Sequence, residues 1–236
     1  MKSFLVFFGI IVVSGMHAPG TSEDLLKQMY DRYHNKWFRT LTFSQTTESY
    51  RHDSLIKTST WYETIMYPDK FRIDFGEKKD GNAVVFRNDS VYDFRKGKLT
   101  RSTPYKNDLT FLLGGLYFYS FNEVLDKLKS FHYDLNKFHE GKWNGKGVYI
   151  IGADKEDEKI NQLWIDKEKL VLVRQLKFDG NQKEEARFEN HIPLGGSWSE
   201  TVCTFYADDQ LIQKEYYHDC KAGNAIDPRV FEPSGF

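Results

Sequence analysis

The sequence has little proline, little cysteine and no excess charge of either sign. Its 236 residues include only 6 prolines, too few for a chain dominated by linkers or disorder. Lys and Arg total 33 against 34 for Asp and Glu, so the chain has no overall basic field that would capture nucleic acid or anionic lipid. The mean hydropathy is −0.61 and only one stretch is strongly apolar, which excludes a membrane protein with many spans.

The scarcity of cysteine leaves one structural question open. Cys203 and Cys220 are the two cysteines, and an exported protein is allowed a disulfide. Residues 198–206 and 211–218 read as a hairpin in which Cys203 faces Lys214, with Cys220 well beyond. Because bridged cysteines need Cα atoms within about 7 Å, a bridge forms only if the chain bends back after the hairpin. The sequence leaves both states open.

The one strongly apolar stretch lies at the N-terminus. Residues 4–13 carry no charge, and this run is about half of the roughly 20 residues that a spanning helix needs. A basic start, a short apolar run and small residues predict a secretory signal over residues 1–18, cleaved after Gly15 or Ala18. An uncleaved anchor helix is the alternative. Met16 stands where a lipoprotein would carry its lipidated cysteine, so we expect a periplasmic protein without that lipid.

Aromatic residues, in contrast, are abundant and favour β structure. They make up 16% of the chain, and aromatics suit pleated, half-buried surfaces. The clearest period of two is Phe71, Ile73 and Phe75. From residue 37 onward we count about eleven strands with tight turns between them. We predict a mainly β protein with α elements, in which one curved antiparallel sheet forms an incomplete barrel, and a single domain over residues 19–236.

Two segments have the pattern of helices. Residues 22–33 place apolar side chains on one helical face. Residues 107–131 predict a short apolar helix that ends at Gly114-Gly115, followed by a second helix that starts at the capping-box pair Ser120 and Glu123. We expect the second segment to cover the sheet as a helical lid.

No arrangement of residues predicts catalysis or a cofactor. Residues 52–54 (His-Asp-Ser) and 218–220 (His-Asp-Cys) have catalytic residue types, but strand neighbours point to opposite faces. Residues 141–147 lack the Ser or Thr and the following helix of a phosphate loop, and the acidic run 154–158 lacks calcium-loop spacing. No His/Cys cluster has zinc spacing. We therefore predict no enzyme, no metal and no cofactor, with an exported hydrolase as the least favoured hypothesis.

A large curved sheet with few helices predicts an incompletely covered concave face. An open apolar cavity there could hold an acyl chain at roughly 0.8 kcal/mol per methylene, whereas the alternative is that the same side chains pack a filled core. The predicted ligand-binding residues come from alternating strand positions and from the helices. They are Phe43, Phe71, Ile73, Phe75, Leu112, Leu113, Leu116, Phe118, Leu125, Leu128, Ile165, Leu176 and Phe178.

Several short motifs, in order along the chain, resemble a known family. They are the aromatic-to-Gln first strand 37–45, the Pro-x-x-Phe-Arg strand 68–73, the hairpin 88–94, the apolar segment 109–116, the strand 163–166 ending in Asp, and the Asp-x-x-x-Phe-x-Pro ending 227–233. Together they resemble the periplasmic outer-membrane lipoprotein carriers of the LolA/LolB-like superfamily.

The resemblance implies an incomplete β-barrel, closed by a helical lid, with a cavity for acyl chains. Carriers of this family take a lipoprotein from an inner-membrane transporter and pass it to an outer-membrane acceptor, and their role suits a monomer. The family has Arg immediately before the strand-initiating Pro, where it holds the lid. Here that residue is Tyr67, and whether Arg72 takes its place is left open by the sequence.

Two readings of function therefore remain open. The leading one is a periplasmic carrier that binds acyl chains of lipoproteins, or related hydrophobic ligands, and ferries them toward the outer membrane. The other is an envelope sensor or protein-interaction module of the same fold that transfers no cargo. A filled core would favour the second.

Overall fold

The computed structural model describes residues 18–233. Apart from Ala18, the predicted signal sequence lies outside the described residues. The helices are α1 (Ser22–Tyr33), α2 (Asp108–Leu112) and α3 (Phe121–Ser130), and there are short 3₁₀ turns at Lys78–Asp80, Gly115–Phe118 and Pro228–Phe231. Among residues 18–233, no helix combines the length and the apolar character needed to cross a membrane.

Fifteen strands account for most of the described chain. In order they are β1 (Thr40–Arg51), β2 (Ser54–Met66), β3 (Lys70–Phe75), β4 (Ala83–Arg87), β5 (Ser90–Arg95), β6 (Lys98–Pro104), β7 (Phe138–Trp143), β8 (Lys146–Ile151), β9 (Gln162–Asp166), β10 (Leu172–Asp179), β11 (Gln182–Glu189), β12 (Ile192–Leu194), β13 (Ser197–Ser199), β14 (Val202–Ala207) and β15 (Gln210–Ala222).

One antiparallel sheet contains thirteen of these strands. Its order is β6-β5-β4-β3-β2-β1-β15-β14-β11-β10-β9-β8-β7, while β12 and β13 pair separately. Pairing of β1 with β15 joins the two ends of the chain at the centre of the sheet. The outermost strands, β6 and β7, are not neighbours, so the sheet curves without closing. This open half-barrel under helices confirms the predicted fold class.

The main sheet has thirteen strands rather than the predicted number of about eleven, because neither edge strand was predicted. β6 is exposed along its whole length, and β7 has no fully buried residue. An edge strand pairs on one side only and is commonly polar, so neither segment shows the apolar alternation that identified the inner strands.

The helices form where the sequence predicts them and cover the concave face. Thr21 caps α1 by accepting a hydrogen bond from the backbone of Asp24 at 3.1 Å. Ser120 and Glu123 form the predicted capping box of α3. The buried faces of α1 and α3 then pack in one apolar core with strands β8 and β9.

The opposite face of the sheet is covered in part by the C-terminal turn. Arg72 and Asp74 of β3 form a buried ion pair at 2.6 Å, and Arg72 also donates to the carbonyl of Val230 at 2.9 Å. Phe231 of the turn is fully buried. The polar positions of β3 therefore lie under the C-terminus rather than in solvent.

Candidate functional site

A cavity of about 210 Å³ lies between the concave face of the sheet and α2. Strand residues form an aromatic and aliphatic wall, and two leucines of α2 cover it. The wall includes Phe43, Trp61, Ile65, Phe71, Ile73 and Phe86, and the cover is Leu109 and Leu113. Because the two leucines are four residues apart, they share one face of the helix. The site has the concave, mainly apolar character of ligand cavities, although it is smaller than most of them.

The start of α2 is fixed to the sheet through Asp108. Its buried carboxylate accepts a hydrogen bond from Gln175 Nε2 at 3.0 Å and lies 3.1 Å from Lys177 Nζ. Asn107 caps the helix by accepting from the backbone of Thr110 at 3.0 Å. These contacts orient Leu109 and Leu113 toward the cavity.

The end of α2 is held by Tyr67, the residue immediately before Pro68. The Tyr67 hydroxyl donates to the carbonyl of Leu113 at 3.1 Å, and its ring stacks on Phe118 with centroids 5.9 Å apart. A Cβ on Gly114 would lie 2.2 Å from Nε1 of Trp37, so only glycine allows this close approach. Tyr67 therefore makes the lid contact, whereas Arg72 lies on the opposite face of the sheet.

Three buried carboxyl groups also line the cavity. Glu63 of β2, Glu200 before β14 and Glu215 of β15 are 5%, 9% and 6% exposed. Burial raises the pKa of Glu200 to about 7. Burial and the neighbouring carboxylates raise the pKa of Glu63 well above its ordinary range, and burial raises the pKa of Glu215. The cavity is therefore apolar on one side and acidic on the other.

The acidic side is hydrogen-bonded only in part. Glu215 accepts from Gln213 Nε2 at 2.6 Å and from the Tyr217 hydroxyl at 3.0 Å. Glu63 accepts no hydrogen bond and forms no salt bridge with any residue from 18 to 233. Within the same part of the chain, no group of His, Cys, Asp and Glu side chains has the arrangement of a metal site.

The cysteines offer neither a disulfide nor a nucleophile. Both are free thiols, which decides against the bridge that the sequence left open, and Cys203 pairs with Glu215 rather than Lys214. Cys203 donates to the Tyr217 hydroxyl at 3.2 Å. Burial raises the pKa of Cys203 well above its usual range and that of Cys220 to about 11. Neither thiol is activated, because reactivity requires the thiolate.

The structure brings four of the predicted ligand-binding residues to the cavity. They are Phe43 of β1, Phe71 and Ile73 of β3, and Leu113 of α2. The strand residues were identified by their alternation and Leu113 by its place in the apolar helix. Their contact with a ligand stays a prediction.

Six other predicted residues pack the core instead. Leu112, Leu116, Leu128 and Ile165 are buried in the cluster beneath α1 and α3, and Phe118 and Leu125 pack against it. At these positions the structure has a filled core, which was the alternative that the sequence left open.

The remaining three predicted residues lie elsewhere, so their assignment to the cavity was wrong. Phe75 continues the stripe of β3 but packs against Trp61, with ring centroids 4.8 Å apart, in a separate open depression. Leu176 and Phe178 share the face of β10 that carries Arg174, because side chains alternate. Arg174 contacts Trp143 and Trp164 on the face away from the helices.

Sequence reasoning missed the acidic side of the cavity. Glu63 lies between Trp61 and Ile65 on one face of β2, and Glu215 precedes Tyr217 by two residues on β15. The alternation of side chains along β2 could have shown that Glu63 lies on the same face as the apolar residues Trp61 and Ile65. No signal in the sequence marks Glu200, which lies in the connection between β13 and β14.

Comparison with solved structures places the chain in a known fold. A DUF1329 family protein from Desulfovibrio piger gives a TM-score of 0.58 at 12% identity, covering 89% of this chain and 95% of its own. A LolA superfamily protein from Nitrosomonas europaea gives 0.53 at 10%, covering 91% and 98%. A domain from Vibrio parahaemolyticus assigned to outer membrane lipoprotein sorting gives 0.57 at 11%, covering 89% and 95%.

The sequence itself matches no family model and no curated protein. Structural similarity at such low identity establishes the fold and leaves the activity open. The resemblance seen in the sequence motifs is thereby confirmed at the level of architecture. The chain has the fold of the LolA superfamily.

Proposed function

We propose that this protein is a periplasmic carrier that binds acyl chains of lipoproteins, or related hydrophobic ligands, beneath α2. The observation that carries the proposal is the cavity of about 210 Å³ with an aromatic and aliphatic wall and a leucine cover. Burial of each methylene in such a site contributes roughly 0.8 kcal/mol.

The lid contacts support reversible loading. α2 has only five residues. The hydrogen bond from Tyr67 to the Leu113 carbonyl holds its end on the cavity side, while Leu112 packs in the core. Displacing this segment would enlarge the cavity for a longer chain, while Asp108 keeps the start of α2 attached. In the proposed cycle an inner-membrane transporter loads the carrier, and an outer-membrane acceptor removes the chain by binding it more tightly. The signal at residues 1–18, the single domain at 19–236 and a monomeric state belong to the same proposal.

A charge on the cover tests the cavity directly. Leu113→Glu places a carboxylate against the apolar wall, so we expect the affinity for octanol to fall at least tenfold while the β circular dichroism is retained. Isothermal titration calorimetry at several temperatures measures the affinity, and a negative heat-capacity change reports burial of the chain. Leu99→Glu is the matched control, because Leu99 is 49% exposed on β6. Equal affinities in both variants would count against the cavity.

A second candidate function rests on exposed apolar side chains at two neighbouring hairpin tips. Leu55, Ile56 and Ile212 are 53%, 55% and 44% exposed, and the tips are joined by a hydrogen bond from the Leu211 backbone to Asp53 at 3.2 Å. Exposed apolar patches often mark protein-binding surfaces. In this alternative the protein is an envelope sensor or interaction module. Loss of partner capture in Ile56→Lys, with octanol binding absent from the wild type, would favour it.

A further inference from the structure

The acidic side of the cavity carries three carboxyl groups, and no cationic side chain among the described residues neutralises them there. Glu63, Glu200 and Glu215 line it, and no Lys, Arg or His is among the described residues that do. Glu215 is the one carboxyl that receives side-chain hydrogen bonds, from Gln213 and Tyr217. A buried acceptor without a donor is costly and is uncommon in folded proteins.

Glu63 is the group that most lacks a partner. Its side chain is about 95% buried and borders the cavity, yet it accepts nothing from any described residue. In the sheet it lies opposite Phe43 on β1 and Ile73 on β3. Its carboxyl group is therefore placed where the apolar wall meets the acidic side.

A second orphan acceptor lies beside this site. Gln45 follows Phe43 by two residues on the same face of β1 and is fully buried. Its Nε2 donates to Thr47 at 2.8 Å, but its Oε1 has no partner among the described residues. The amide lies next to Glu215. Glu63, which lines the cavity, therefore points to a ligand that supplies donors at this end.

We propose that the cavity selects amphiphiles whose polar end is a protonated amine, with Glu63 receiving the ammonium group and the chain lying against Phe71 and Ile73. This inference rests on the proposed function, because it assigns the head group of a ligand that the cavity binds by its chain. An ammonium group supplies up to three donors and the missing positive charge. A carboxylate head would bring only acceptors and a second negative charge beside any ionised carboxyl group, and an alcohol would supply one donor.

The titratable groups around Glu63 couple the binding of an ammonium group to the release of protons. The titratable side chains that face Glu63 are Glu200, Glu215, Tyr217 and Cys203, all with raised pKa. In the empty cavity the raised pKa values favour the protonated form of these carboxyl groups, with Glu200 at a pKa of about 7. An ammonium group favours the carboxylate form, so its binding releases protons to the buffer.

Three probes of one chain length test the proposal by titration calorimetry at pH 6.5. We expect octylamine to bind at least tenfold more tightly than octanol, and octanoate to bind more weakly than either. The octylamine heat should depend on the ionisation enthalpy of the buffer, whereas the octanol heat should not. Glu63→Gln should bring the affinity for octylamine within threefold of the affinity for octanol in the same variant, while Glu168→Gln, on an exposed turn, should preserve the preference.

The outcomes separate the inference from the function on which it rests. Octanol that binds as tightly as octylamine, or a preference that survives Glu63→Gln, would overturn the amine assignment and leave the apolar cavity in place. Failure of all three probes to bind would instead overturn the proposed function.

Discussion

The two parts of the concave face differ in how they are filled. Beneath α1 and α3 the sheet packs a dry apolar core, in which Leu25, Leu128 and Ile151 are fully buried. Beneath α2 the same sheet faces a cavity and carries the buried carboxyl groups Glu63 and Glu200. The first part supplies stability, whereas buried acids without partners lower it. The proposed function assigns ligand binding to the second part.

The largest expected difference between the two parts concerns leucine truncation. Leu128→Ala removes a fully buried side chain and should lower the free energy of unfolding by about 2–5 kcal/mol. Leu113→Ala should cost less than about 1 kcal/mol, because Leu113 borders open space and loses fewer contacts. Urea unfolding of both variants measures the two losses in the free energy of unfolding. Equal losses would mean that α2 covers a filled core.

The next effect is an unusual dependence of stability on pH. The pKa of Glu200 rises from 4.5 to about 7 on folding, so the folded state binds more protons than the unfolded state between these values. Stability is therefore fully present below pH 4.5 for this group and falls as pH rises through 7, by about 3 kcal/mol. Glu63 and Glu215 act in the same direction.

Chemical unfolding between pH 5 and 8 measures this slope. Glu200→Gln should flatten it, and Glu63→Gln should flatten it further, because each variant removes a buried acid whose ionisation costs stability as pH rises. Glu168→Gln again serves as the exposed control. Wild-type stability that rises steadily to pH 8 would contradict the raised pKa values and, with them, the acidic character of the cavity.

A smaller effect is expected at the contact that holds the lid. Tyr67→Phe keeps the ring but removes the hydrogen bond to the Leu113 carbonyl, which should cost about 1 kcal/mol. Amide hydrogen exchange over residues 108–118 should accelerate, while exchange in α1 stays unchanged. In the matched control Tyr50→Phe, the lost hydroxyl donates to Glu48 on β1. Lid exchange at the wild-type rate in Tyr67→Phe would show that Tyr67 does not restrain α2.

The smallest expected effect concerns the reactivity of Cys203, which lies between the apolar core and the cavity. Cys203 belongs to the apolar core and touches Tyr217 at the cavity. Because burial raises its pKa, it should resist alkylation at pH 8 in the native protein, and unfolding without reductant should expose two thiols per chain. A count below two would mean that a disulfide has formed.

Much of the fold follows from the sequence, and the exceptions have physical causes. α1, the capping box of α3 and the inner strands carry strong local patterns, so their positions were predicted. The edge strands β6 and β7 lack such a pattern because they face solvent. The alternation of side chains along β3 was predicted correctly. The burial of Arg72 and Asp74 could not be predicted, because it depends on the C-terminal turn, which is far away in the sequence.

The cavity was predictable only in part. Phe43, Phe71 and Ile73 follow from alternation, whereas nothing local distinguishes a leucine that packs the core, such as Leu116, from one that covers the cavity, such as Leu113. The lid role of Tyr67 and the convergence of Glu63 with Glu200 depend on strands that meet only in the folded sheet. Neither of these two features could be predicted from the sequence alone.

Native mass spectrometry of the exported protein, recovered without detergent, tests the central claim most directly. We expect a fraction of the wild type to carry extra mass from an acyl-bearing molecule, and Leu113→Glu to lose that mass while Leu99→Glu retains it. A wild type that shows only the mass of the bare chain, and that also gives no binding heat with octanol or octylamine, would contradict a ligand cavity beneath α2.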